Sequence, residues 1–320
     1  GKQWGWLSSD DIRELENQNP LPGGQGKIYW MPLNMVDAKT ASEPKPEPVV
    51  VEAKPEEPAP EEPKPEEKKN RREIRGANLK LRLANNYKEL FEESTLRIIR
   101  FERQGILKGA DTIFNKRDAS SLNFTDFLEQ FYTNKYDEIN KRIRPVINTY
   151  GKDIADAAMD EVGTKINSEN LDKFISDYTT TFNQRYIATS KKRLNDTAQA
   201  AINEGADPFV AIESNFNDFE DTRPQVVAKR ETIQLAGAVS YFTYAAAGIL
   251  TMVWVNTGSK SCPFCQEMDG QVMGIESAFK SKNDLMVVEG QEPLTFSSNI
   301  FHPPLHPGCI CQLSPGYNLL

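Results

Sequence analysis

Residues 71–105, RREIRGANLKLRLANNYKELFEESTLRIIRFERQG, place Leu79, Leu83, Tyr87, Leu90, Phe91, Leu96, Ile98 and Ile99 mostly three or four positions apart. At that period side chains return to one face of an α-helix, so the segment reads as an amphipathic helix with one stripe turned inward. The same texture extends towards the C-terminus. Residues 121–150 carry Phe124, Phe127, Leu128, Phe131, Tyr132 and Tyr136, and Pro145 is expected to kink that helix. Further helices are expected over 153–166 and over 168–204, the latter capped by Ser168 and closed at Gly205, where a left-handed residue is wanted. Asp207-Pro208 restarts a helix that runs to about Phe219, with proline in the first turn where its missing donor does no harm; Thr222-Arg223-Pro224 restarts another that ends near Gly248. Residues 71–248 therefore read as an all-α body, and its Phe and Tyr stripes read as core rather than as a cofactor box.

From residue 249 the texture changes. Leu250 to Val255, through Trp254, has the β-branched and aromatic content of a strand, Asp269-Gly270 is a hairpin-turn signal, and Gln271 to Met273 and Leu285 to Val288 are short strand candidates. The fold class is thus mainly α, a helical body followed by a small β-rich C-terminal module over 249–320. A module of this size holds little core, and such modules usually need a metal or disulfide staple.

The staple has candidates, because all four cysteines fall in this module, as Cys262-Pro263-Phe264-Cys265 and His306-Pro307-Gly308-Cys309-Ile310-Cys311. A C-x-x-C turn presents two sulfur donors from one loop and an H-x-x-C-x-C run presents three more from a second. Zinc takes four such donors in a tetrahedron, so one of Cys262, Cys265, His306, Cys309 and Cys311 is surplus, with His302 as an outer candidate. Pro303, Pro304 and Pro307 stiffen the second loop and reduce the entropy lost on fixing its donors. A structural metal, disulfide pairing and reduced packing cysteines all fit the spacing. Enzymatic use is not expected. His306 is poorly placed to serve Cys309 as a base, and the redox reading of C-x-x-C wants a helix start where Gln266-Glu267-Met268-Asp269-Gly270 makes a poor helix. Arg230-Glu231, on the last expected helix, reads as a surface charge pair.

The N-terminal part has a different character. Residues 1–36 concentrate Trp4, Trp6, Leu7, Ile12, Leu15, Tyr29, Trp30, Met31 and Leu33, more apolar surface than so short a unit can bury alone, and are expected to pack on another body. Residues 37–70, containing EPKPEPVVVEAKPEEPAPEEPKPEEKK, read as a disordered Pro/Glu/Lys linker of extended polyproline II character, rising about 3.1 Å per residue. The chain's net charge of −8 is spread without a basic stripe: residues 251–320 hold three lysines and no arginine, which disfavours direct DNA binding. No apolar run is long enough for a transmembrane helix, and no secretory signal is visible at Gly1, whose place at the start suggests a processed chain or a piece of a longer one.

Taken in order, RPQVVAKRET at 223–232, an alanine-rich helix ending in glycine, TMVWVNTGSKSCPFCQEMDGQV at 251–272 and PPLHPGCICQLSPG at 303–316 resemble the C-terminal half of the Mu F-like minor head proteins of tailed bacteriophages. The likeness spans roughly 220–317. Ile310 stands where that family usually has arginine, and Arg230-Glu231-Thr232 replaces its Arg-Thr-Glu order. Residues 1–36 are similar to the C-terminal end of phage portal proteins, through Arg13, Glu16, Asn17, Gly23, Gly24, Pro32 and Asn34. Together the resemblances imply a portal tail joined through a tether to a minor head protein acting in head morphogenesis. The implied place is the head interior near the portal vertex, reached from the host cytoplasm during assembly, with ejection alongside the DNA as a further implication. The implied partners are the portal and, beyond it, capsid and scaffold proteins, with weak or indirect DNA contact and no membrane. An enzyme or effector module delivered with the DNA, using the Cys/His cluster, is the alternative.

Overall fold

The computed structural model of the chain describes residues 65–114, 121–258 and 262–316. The expected portal-like unit at 1–36 and nearly all of the expected linker lie outside these residues. Four long helices dominate: α1 (Pro65–Phe114), α2 (Ser121–Val162), α3 (Ser168–Glu204) and α4 (Pro208–Ala246). They are followed by β1 (Thr251–Val255), a short helix α5 (Pro263–Met268), β2 (Val272–Gly274), β3 (Leu285–Met286), β4 (Leu294–Thr295) and β5 (Gln312–Pro315). The mainly α fold with a small C-terminal strand set is as the sequence indicates.

Helix boundaries differ from the expectation at several of the prolines and glycines in the body. Helix α1 begins at Pro65, six residues inside the expected linker, because the first turn of a helix leaves N–H groups unbonded and a missing one costs nothing. Helix α2 runs unbroken through Pro145 and Gly151, joining two expected helices, and α4 runs through Pro224 in the same way. Each proline removes one bond of the ladder, and the buried face on both sides of it holds the helix together. Tyr150, on the far side of Pro145, is fully buried with its hydroxyl donating to Thr232 O at 2.7 Å, and Pro224 is itself buried. The start of α3 is capped by Asn167, not Ser168: its side chain accepts from the N–H groups of Glu169 and Asn170. Gly205 ends α3 in the left-handed conformation at φ 70°, as expected, and Asp207 caps α4 with Pro208 behind it.

Helix α1 packs chiefly along α4 and α2, α2 against α3, and α3 against α4. Their shared core contains Phe91, Ile98, Ile99, Ile106, Phe124, Leu128, Phe131, Ile143, Ile154, Phe182, Leu194, Phe216 and Phe219. A fully buried aliphatic or aromatic side chain of this kind contributes about 1.5–3 kcal/mol. The buried stripe of α1 overlaps the one hydropathy selects, with Phe91, Ile98 and Ile99 buried and Leu83 and Tyr87 packed against the core, but is shifted at two positions. Leu79 and Leu90 are exposed, whereas Ala77, Lys80, Ala84, Phe91, Thr95, Ile98 and Glu102 line the inward face. Two charged residues thus occupy core positions.

The strands form two small antiparallel sheets. In the larger, β1 lies between β2 and β5, pairing Val253 with Val272 on one side and Trp254 with Leu313 on the other; in the smaller, β3 pairs with β4. Asp269-Gly270 is not the two-residue hairpin its sequence suggests. It closes α5, and Gly270, at φ 75°, donates to Trp254 O as the chain enters β2. The sheet core, with Trp254, Phe264, Met268, Phe279, Met286, Phe296, Leu305 and Leu313, also takes in Ala158 of α2 and Tyr244 of α4. Glu62–Leu320 is one compact unit, with β5 packed on α1 and α4.

The fastening between helices and sheet is polar. The Lys80 ammonium, fully buried, donates to Glu161 Oε2 at 2.9 Å, Tyr244 Oη at 2.6 Å and Leu313 O at 2.5 Å, so α1, α2, α4 and β5 meet at one charge. The Tyr244 hydroxyl also donates to Glu161 Oε2. Gly76 makes room for this: a Cβ there would lie 1.7 Å from Glu161 Oε1. Burial lowers the Lys80 pKa, and the charge and hydrogen bond of Glu161 oppose that shift without cancelling it.

Candidate metal centre

Two loops bring the donors together. After β1 the chain reaches Cys262, which caps α5: its sulfur accepts from the Cys265 N–H at 3.4 Å, and Pro263 follows in the first turn. The expectation of a poor helix after Cys265 is therefore overturned. Capping by Cys262, proline at the first position and burial of Phe264, Cys265 and Met268 outweigh the weak propensity of the segment. The second loop turns at 306–309, where the Cys309 N–H donates to His306 O and Gly308 takes φ 87°. Cys311 then leads directly into β5.

All five expected donors converge. They fall into two groups that share Cys265, one of Cys262, Cys265 and His306, the other of Cys265, Cys309 and Cys311; within each group the donor atoms lie within 4.8 Å of one another. His306 Nε2 is 2.9 Å from Cys262 Sγ and 3.2 Å from Cys265 Sγ, and Cys265 Sγ is 3.7 Å from Cys309 Sγ. The His306 ring thus turns to the C-x-x-C pair and not to Cys309. Cys265, Cys309 and Cys311 are buried and Cys262 is half-buried; all four are free thiols.

The donor set fits a tetrahedral metal. With metal–sulfur bonds of about 2.3 Å, the sulfur–sulfur edge of a tetrahedron is about 3.8 Å, close to the Cys265–Cys309 separation. His306 Nδ1 lies 2.9 Å from Pro307 O, so its proton is directed to a carbonyl and Nε2 is left with a free lone pair towards the sulfurs. The cysteines share protons unevenly. Contacts with Cys265 and then Cys311 hold the Cys309 thiol down to about 3, whereas contacts with Cys309 and Cys311, together with burial, raise Cys265. Cys265 acts most strongly on Cys311 and lowers it, with a smaller lowering from Trp254, but Cys309 and burial together raise it to about 12. These buried sulfurs compete for protons at close range, and a cation would relieve that competition, since a metal ligand is the deprotonated form.

His302 is not part of the cluster. Its Nδ1 lies 2.7 Å from Pro303 O, its ring packs near Tyr241, and burial lowers its pKa against the opposing bond to Pro303. The ring lies over Gly237 of α4, where a Cβ would come 2.5 Å from Pro303 O and 2.7 Å from His302 Nδ1. Gly237 thus sets the approach of the second loop, a role that an isolated glycine in an alanine-rich helix does not reveal. Ile310 packs over Gly258 and its carbonyl accepts from Thr257 Oγ1 at 2.7 Å. A cleft of about 430 Å³ beside the centre, lined by Lys229, Arg230, Gln234, Asn299 and His306 among others, gives solvent a route to the His306 edge.

The Arg230-Glu231 pair is divided. Glu231 is buried and accepts from Tyr178 Oη at 2.8 Å and Arg185 Nη2 at 3.1 Å, while Arg230 donates to Gln234. Adjacent positions on a helix point 100° apart, so the two cannot face the same neighbour. A second buried carboxylate escaped the sequence reading. Glu102 accepts from Tyr132 Oη at 2.8 Å and Tyr186 Oη at 2.7 Å. Burial raises its pKa, opposed by Arg223 and by the hydroxyls of Tyr186, Tyr132 and Ser190. Both acids show how polar groups can occupy a helical stripe when partners wait on the facing helix. No described helix is long and apolar enough to cross a membrane.

No family model matches the sequence, and no curated protein or solved structure is significantly similar to the chain.

Proposed function

We propose that the chain is an assembly component of a tailed-phage head, a minor head protein that acts in head morphogenesis at the portal vertex and uses a structural zinc ion to hold its C-terminal module. The observation that supports a structural role most directly is the position of the donor cluster. Three of its sulfurs are buried in the same core as Trp254, Phe264 and Leu313, where an ion ties α5 and the 306–311 loop to the sheet. The zinc preference follows from sulfur and imidazole donors in a four-coordinate arrangement. The phage assignment rests on the sequence resemblance, and with it come the portal as main partner, capsid and scaffold proteins as further ones, and the head interior as location. A tether formed by the Pro/Glu/Lys-rich sequence ahead of Pro65 would raise the local concentration of the helical body at the portal.

The test has two parts. Protein purified under reducing conditions is assayed for metal and melted before and after chelation; one zinc per chain and a lower melting temperature on its removal are expected. Zinc-free protein with an unchanged melt would overturn the staple. For the assembly role, a portal lacking its own C-terminal tail is used to capture the full chain, and failure to associate counts against the portal assignment.

One feature favours a second reading. Cys262 and Cys265 stand at the start of a helix that follows a strand, the setting in which C-x-x-C pairs carry out thiol–disulfide exchange. A delivered enzyme module of that kind would reduce a model disulfide with loss of activity in Cys262→Ser, and would do so without metal.

A further inference from the structure

The centre has five donors for four positions, and the sheet indicates how one of them is supported. In the antiparallel pairing of β1 with β5, Trp254 stands opposite Leu313. Side chains alternate between faces along a strand, so Trp254, Leu313 and Cys311, two residues before Leu313, share the inner face. Trp254 and Cys311 are both fully buried and belong to one cluster with Cys265 and Cys309. Phe279 holds the indole edge-on at 5.2 Å between ring centroids.

Within this packed setting the indole N–H of Trp254 is buried and makes no hydrogen bond of ordinary geometry among the described residues, while it stands close enough to Cys311 to act on that thiol as a donor. An indole N–H can only donate, and a buried donor without an acceptor is uncommon enough to call for a reason. The one nearby group that would become a strong acceptor on loading is a metal-bound thiolate.

Resting on the reading of the cluster as a metal centre, we propose that Trp254 is a positioning residue for that centre: its indole N–H bonds the sulfur of Cys311 when Cys311 is a metal-bound thiolate. The bond orients the sulfur and draws charge from it. It also selects Cys311 as a ligand over the more exposed of the five donors. Hydrogen-bond partners of metal ligands commonly tune affinity by 10–100-fold, which sets the expected size of the effect.

The experiment uses the full chain with Trp4, Trp6 and Trp30 replaced by phenylalanine, so that Trp254 is the single indole, and with ¹⁵N-labelled tryptophan. Zinc loading is expected to move the indole N–H resonance downfield, and Cys311→Ser is expected to abolish that movement. In parallel, cobalt(II) titration of Trp254→Phe should show one bound ion, an affinity about 10–100-fold lower and a shifted sulfur-to-cobalt charge-transfer band. An indole resonance unmoved by zinc in protein that binds one ion overturns the inference while leaving the metal centre standing. A Trp254→Phe protein with unaltered affinity and band does the same. Failure of the parent chain to bind zinc or cobalt removes both together. Should Trp254→Phe not fold, the resonance measurement decides alone.

Discussion

Replacing Lys80 by methionine tests the fastening between the helical body and the sheet. The lysine is fully buried, and its three bonds reach Glu161, Tyr244 and the Leu313 carbonyl. Methionine fills the aliphatic volume but takes the Lys80 charge from the Glu161 carboxylate, whose side chain is 10% exposed, and this donor from the Leu313 carbonyl. Breaking a buried ion pair from one side costs about 3–5 kcal/mol, more than the hydrogen bonds alone would, because the remaining charge stays desolvated. The assay is urea unfolding of Lys80→Met, Glu161→Gln and the double variant. The double variant should cost less than the two single costs added, by on the order of 1–3 kcal/mol, since removing both charges also removes the stranded one. The pH dependence has a definite sign. Burial lowers the Lys80 pKa below the ordinary 10.5, so the unfolded chain holds this proton more tightly than the folded one. The resulting penalty is full below the folded pKa and fades as pH rises towards 10.5, so wild-type stability should gain on Lys80→Met across that alkaline window. A single-variant cost below about 1 kcal/mol, or strictly additive costs, would refute the view that this charge joins the four elements.

Glu102→Gln should flatten a different part of the pH profile. The raised carboxyl pKa means that folding takes up a proton above the ordinary 4.5, so wild-type stability falls as pH rises from there through the folded pKa, by at most about 1.4 kcal/mol per unit; an unchanged slope in the variant, followed by urea unfolding, would contradict the assignment. Gly237→Ala should cost about 1–3 kcal/mol because the new methyl meets Pro303 O at 2.5 Å, and it should weaken metal binding by displacing the 302–309 loop, measured by thermal melting and competitive chelation. Gly205→Ala, with open space around it but φ at 70°, should cost about 1–2 kcal/mol through backbone conformation alone and leave metal affinity unchanged. Cys265→Ser should lower metal affinity more than Cys262→Ser does, because Cys265 belongs to both donor groups; equal losses on titration would argue against its central place.

The helical body was legible because apolar spacing and capping chemistry act locally. Gly205 and Asp207-Pro208 mark their boundaries unaided, and the five donors could be named from spacing and residue type alone. The misreadings share a cause, which is that tertiary packing supplied what local propensity lacked. Gly151 and Pro224 failed to interrupt their helices because the faces on either side were already committed to the core. The 263–268 helix formed because Phe264 and Met268 had a sheet to pack on and Cys262 offered a cap. Lys80 and Glu102 carry no sign of burial in their own charge, although Ala77, Ala84, Phe91 and Ile98 around them trace the buried stripe. Their hydrogen-bond partners come from sequence-distant helices and from β5, and no local window contains them. Strand β5 was missed for a similar reason: Gln312–Pro315 holds one large apolar residue, Leu313, and is a strand because β1 offers it an edge.

The bond from Lys80 to the Leu313 carbonyl spans 233 positions of sequence. At ribosomal rates of about 5–20 residues per second, the lysine emerges on the order of 10–50 s before its acceptor exists. Through that interval α1 carries an ammonium on the face that must later become dry, and water is its natural partner. The hydration that protects the nascent helix also delays closure of its innermost turn. Final desiccation of that turn therefore belongs to the last strand made, and a chain truncated before β5 would retain a wet seam where the complete one has a joint.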